Sequence, residues 1–149
     1  METIYHQTDL RAALSILASG AIFGRDGFAV PNFSLIEKDF RNQLEGRGIE
    51  LAFAWPGEVG RTYGMNGLKP DVLYHQSSME TSFSYWRSFI LPGSRVALRP
   101  IGFKVTADRD FDPRECDLAR LEAQIAADRP VVAVHPAHFV TARSSEPRG

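Results

Sequence analysis

The sharpest alternation of apolar and polar positions runs from Ile49 to Trp55. Ile49, Leu51, Phe53 and Trp55 fall on one side, and Glu50, Ala52 and Ala54 on the other. A period of two predicts a strand whose odd face belongs to the core, with Glu50 on the other, non-core face. The opening stretch Glu2–His6 predicts another strand, with Ile4 on one face and His6 near its end. Thr8 and Asp9 are good helix N-caps, Leu10, Ala13, Leu14 and Leu17 recur at helical spacing, and Gly20 stands where a left-handed C-cap belongs. A strand that passes at once into a helix holds one imidazole at a rigid, solvent-facing junction.

The remaining pattern predicts a mixed chain. Ala21–Gly27 reads as a loop, Phe28–Val30 and Phe33–Leu35 as short strands, and Glu37–Leu44 as a short surface helix. Pro56–Pro70, with four glycines, is the longest irregular stretch, and a loop of that length in a compact domain is a binding loop or a disordered one. Asp71–Gln76 predicts a strand. From Ser77 to Ile90, Met79, Phe83, Trp86 and Ile90 repeat at helical spacing behind a Ser77-x-x-Glu80 capping box, which favours a helix. Ser94–Thr106 reads as two strands or one bent one. Cys116–Ala127 reads as a helix with Leu118, Leu121 and Ile125 on one face and Glu122 toward water. Val131–Val134 reads as a short buried strand. The expectation is a single α+β domain over residues 1–142, with 143–149 as a flexible C-terminal tail.

Composition narrows the chemistry. The 149 residues are enough for one buried core, and 44% apolar with 23% charged residues is ordinary for a globule. A net charge of −1 offers no bulk attraction to nucleic acid or membrane. The single cysteine, Cys116, rules out an internal disulfide and a multi-cysteine zinc site, and is expected to be a buried structural residue. His135 and His138 share a His-x-x-His spacing, but Pro136 lies between them and no third ligand is near, so no metal is expected. No apolar run approaches the ~20 residues of a membrane span. Acidic Glu2 stands where a signal peptide carries basic charge. A cytoplasmic location follows as the expectation.

Tyr5-His6-Gln7-Thr8, followed by Leu10, Ser15-Ile16-Leu17 and Ser19-Gly20, resembles the opening of the ADP-ribosyltransferase superfamily. Pro31-Asn32-Phe33-Ser34-Leu35, with Glu37-Lys38-Asp39 and Phe40 after it, resembles that group's second segment. The likeness covers roughly the first forty positions. It implies a split, mostly antiparallel sheet with flanking helices. It also implies NAD as the substrate cofactor and a protein or nucleic acid as the acceptor of ADP-ribose, as in small toxins and phage or host-modifying factors. Breaking the C1′–nicotinamide bond develops positive charge on the ribose, so such a site must hold the ribose, grip the carboxamide and set a carboxylate beside the charge.

Carried onto this chain, the resemblance gives His6 the ribose, with Gln7 and Thr8 completing the cofactor-binding motif. Many relatives have glycine where Gln7 stands. Phe33 and Ser34 take the nicotinamide side, and Glu80, with His6, the catalytic role, although Ser78 occupies the position that often selects the acceptor. Each residue also has a plainer reading. His6 is then a strand-end histidine bonded to a backbone carbonyl, Ser34 and Phe33 a strand end and a core aromatic, and Glu80 a helix cap. Glu50 and Glu58 are rival carboxylates. Arg25 and Arg11 suit a pyrophosphate or are surface charge. Tyr63 is a lid aromatic or an ordinary loop tyrosine. A degenerate binding module on the same fold is the second expectation. A nucleic-acid binder using Arg95, Arg99, Lys104 and the aromatics around Trp86 is the third, opposed by the near-neutral charge.

Overall fold

The computed structural model describes residues 1–23, 32–33, 48–62, 67–76, 88–91, 94–106 and 113–134. Nine strands and two helices lie among them: β1 Glu2–Thr8, α1 Leu10–Ser19, β2 Ala21–Phe23, β3 Asn32–Phe33, β4 Ile49–Trp55, β5 Glu58–Thr62, β6 Val72–Gln76, β7 Ser88–Ile90, β8 Arg99–Val105, α2 Glu115–Ala126 and β9 Val132–Val134.

The alternating stretch becomes β4, the centre of a three-stranded antiparallel sheet ordered β1-β4-β8. A register shift between Ala52 and Phe53 interrupts the β4–β8 ladder, and within Ser94–Thr106 the single strand is Arg99–Val105, preceded by an isolated bridge from Leu98 to Val131. A second sheet is ordered β3-β7-β6-β5, antiparallel except for the parallel β5–β6 pair. β3 also lies against β1, which brings the two sheets together at that edge. The architecture is α+β, as the sequence pattern predicts, and mostly antiparallel.

Helix α1 begins where Asp9 Oδ1 accepts from the Ala12 amide at 2.7 Å, and it ends at Gly20 in the left-handed region. Gly20 is needed twice over: φ is +71°, and a Cβ there would lie 3.0 Å from the Pro130 carbonyl. α1 and α2 pack on each other and over the three-stranded sheet. The main core joins Ile4, Leu51, Phe53 and Trp55 to Ala13, Ile16 and Leu17 of α1, Leu121 of α2, and Leu73 and Ile90 of the second sheet. On the opposite face of that sheet, Val72, Tyr74 and Phe89 form a smaller cluster.

Several expectations change. Ala21–Phe23 is a strand, because it pairs in parallel with β9, a partner more than a hundred residues away. Pro56–Pro70 is not irregular throughout, since Glu58–Thr62 pairs with β6. The last three positions of the Ser77–Ile90 stretch are strand, held between β3 and β6; residues 77–87 lie outside the described residues. The even face of β4 is covered as well: Glu50 is only 2% exposed and is not the solvated carboxylate that a non-core strand face allows. Cys116 is exposed rather than buried. Phe28–Val30, Glu37–Leu44 and the tail 143–149 lie outside the described residues.

The β6–β7 end is fastened by Asp71. This residue holds a left-handed φ of 69°, and its carboxylate accepts from the amides of Arg95 and, at 3.2 Å, Val96. Its own amide donates to Ser94 Oγ, which in turn donates to the Leu91 carbonyl. Aspartate tolerates this conformation because its short side chain bonds locally.

Candidate functional site

The two faces of β1 have different chemistry. His6 lies on the same face as Ile4 and Thr8, opposite Leu51, and is half-buried at the edge of the main core. Thr8 is buried at the junction with α1. Gln7 points the other way. Its amide nitrogen donates to Glu50 Oε2, and its amide oxygen accepts from Thr106 Oγ1 at 3.3 Å. Lys104 Nζ lies 3.9 Å from Glu50 Oε1. Gln7, Glu50 and Lys104 therefore form one cross-strand row over β1, β4 and β8, because partners in register share a face.

This arrangement removes one rival carboxylate. Glu50 sits on the face of the sheet opposite His6 and is tied to Gln7 and Lys104, so it cannot share a hollow with the imidazole. Glu58 is exposed at the start of β5, where its carbonyl accepts the Trp55 indole N–H at 2.9 Å. Glu80, Arg25, Ser34 and Tyr63 lie outside the described residues, as do Trp86, His135 and His138. Phe33 is described by its backbone, which pairs with Ser88 in β7. Arg11 and Arg95 are exposed, and Arg99 is bound through a two-pronged ion pair to Asp128. That pair draws the Asp128 carboxyl below its ordinary pKa, first through the hydrogen bond from Arg99.

Of the segments with motif residues, β1 with His6 and β3 with Phe33 are brought side by side. On the second sheet the same inner face carries a polar row that periodicity did not single out. Arg61, His75 and Ser88 are register partners across β5, β6 and β7, and Phe33 holds the next register position on β3. Side chains two apart on a strand share a face, which sets His75 on the face of Leu73. Ser88 was hidden by the helical spacing of the stretch before it. Burial, and secondly the charge of Arg61, hold the His75 ring below its ordinary pKa.

A separate cavity of about 340 Å³ opens at the far end of the three-stranded sheet, between Met1, Pro56, Leu98 and the Arg99–Asp128 pair. Among the described residues, none of β1 or β3 lines it. Among the described residues, no group of three or more His, Cys, Asp or Glu side chains is arranged to hold a metal ion, and no helix is long and apolar enough to cross a membrane. Comparison with known proteins finds no matching family model, no similar curated protein and no similar solved structure.

Proposed function

We propose that the chain is a NAD-dependent mono-ADP-ribosyltransferase whose nucleotide site lies where β1 adjoins β3. The observation that carries this reading is that adjacency: two short segments, chosen on sequence resemblance alone and separated by α1 and β2, are neighbours in the fold. The strand order supports it too. Two mostly antiparallel sheets, β5-β6-β7-β3 and β1-β4-β8, meet where β3 lies against β1, which is compatible with the split sheet that the resemblance implies. His6, half-buried on the inner face, donates or accepts one hydrogen bond at the ribose. Glu80 supplies the carboxylate that steadies the ribosyl cation as nicotinamide leaves, and the acceptor is a protein or a nucleic acid.

The test is thermal unfolding with NAD. A ligand at 100 times its dissociation constant adds ~2.7 kcal/mol. At roughly 2–4 °C per kcal/mol for a chain of this size, the midpoint rises by about 5–10 °C. An unchanged midpoint at millimolar NAD removes the proposal.

A binding module without catalysis is favoured by one observation: Glu50, the described carboxylate on the strand beside His6, is committed elsewhere, which leaves Glu80 and its rival Glu58 as candidate acids. Glu80→Gln separates the two. An enzyme loses NAD cleavage and transfer but keeps the NAD-dependent stabilisation, whereas a binding module shows the stabilisation and no turnover even in the wild type.

A further inference from the structure

We infer that Arg61, His75 and Ser88 form an oxyanion subsite that holds a phosphate group of the nucleotide. The ladder sets the three in one row, Arg61 opposite His75 and His75 opposite Ser88, on the face that carries Leu73 and Ile90 into the main core. Ser88 is fully buried, and its Oγ has no hydrogen-bond partner. The adjacent His75 Nδ1 is buried and has none either. Buried polar atoms are nearly always satisfied in folded proteins, and two neighbouring exceptions mark a place where something else completes the bonding. The Arg61 guanidinium makes no ion pair with a described carboxylate.

The chemistry selects an anion. Arginine offers only donors, a serine hydroxyl donates one bond, and a neutral imidazole donates from whichever nitrogen carries its proton. Three donors in a row, one of them cationic and planar, suit phosphate oxygens better than an amide or a cation. Burial is graded along the row, from enclosed Ser88 through half-buried His75 to exposed Arg61, so the subsite opens at the β5 edge. The ligand's identity as a dinucleotide rests on the function proposed above; the oxyanion site itself does not.

Calorimetric titration of the full chain, and of its Arg61→Ala and Ser88→Ala variants, tests this with three probes: inorganic pyrophosphate, NAD, and nicotinamide riboside, which lacks phosphate. Pyrophosphate and NAD are expected to bind about tenfold more weakly to Arg61→Ala and several-fold more weakly to Ser88→Ala, with nicotinamide riboside unchanged. Ser88→Ala should unfold at or above the wild-type temperature, since it removes an unbonded buried hydroxyl. Pyrophosphate that fails to bind the wild type, or binds all three proteins equally, overturns the inference. NAD binding indifferent to both substitutions overturns it while leaving the transferase proposal standing. Pyrophosphate binding that depends on the row, without NAD binding, keeps the subsite and removes the transferase.

Discussion

Replacing Glu50 by alanine tests the most consequential difference between strand alternation and the folded sheet. Glu50 is 2% exposed, accepts the Gln7 side-chain amide, and faces Lys104 Nζ at 3.9 Å. A hydrogen bond to a buried charged group contributes about 1.5–3 kcal/mol. The Lys104 side chain is 36% exposed, so solvent screening limits that pair to about 0–1 kcal/mol. Together these give a loss of about 1.5–4 kcal/mol for Glu50→Ala. In urea the expected outcome is a lower midpoint with an unchanged slope. A cycle with Gln7→Ala should show a coupling of about 1–2 kcal/mol, because each single change already breaks the shared bond. Glu50→Gln should fall between, keeping the shape but not the charge. A Glu50→Ala loss within about 0.5 kcal/mol, the usual result on a solvated strand face, or strict additivity in the cycle, would refute the buried network.

Two further outcomes follow from local geometry. Gly57→Ala should lose about 1–3 kcal/mol by overpacking. A Cβ at that position would stand 2.8 Å from Trp55 Cζ2, and the ring is pinned by its N–H bond to the Glu58 carbonyl; an unchanged urea midpoint would contradict this. The His75 ring, followed by its NMR shift against pH, should titrate below the ordinary value of about 6.5 because the folded protein favours its neutral form. The unfolded chain then binds the proton more readily, so this residue's contribution to stability is full above that value and declines as pH falls toward the folded pKa. Arg61→Gln should move the titration partway back, and a value at or above 6.5 in the wild type would be inconsistent with burial as its cause.

Local patterning was a good guide wherever the signal was itself local. The α1 cap at Asp9, its left-handed stop at Gly20 and the 3.6-residue spacing between them depend on contacts within a turn or two, and these came out as read. Ile49–Trp55 was unmistakable because four large apolar residues in alternate positions admit only one period. Three-residue β2 and β7 were not, since a run that short has no period, and its state is decided by the partner it meets. Of the site, the resemblance picked out β1 and the start of β3, which the fold makes neighbours. Arg61, His75 and Ser88 were missed because none stands in a motif, and a cross-strand row has no spacing in sequence.

The sequence by itself determined that this chain carries an apolar-faced strand, two amphipathic helices with their ends, and an imidazole at a strand-to-helix junction. Those follow from side-chain chemistry acting over a few residues. Only the tertiary structure decided that Glu50 is enclosed and tied to Gln7 and Lys104, on the face away from His6. It likewise decided that Arg61, His75 and Ser88 stand in one line. Alternation says which side of a strand a residue is on, but not what the rest of the chain lays over that side.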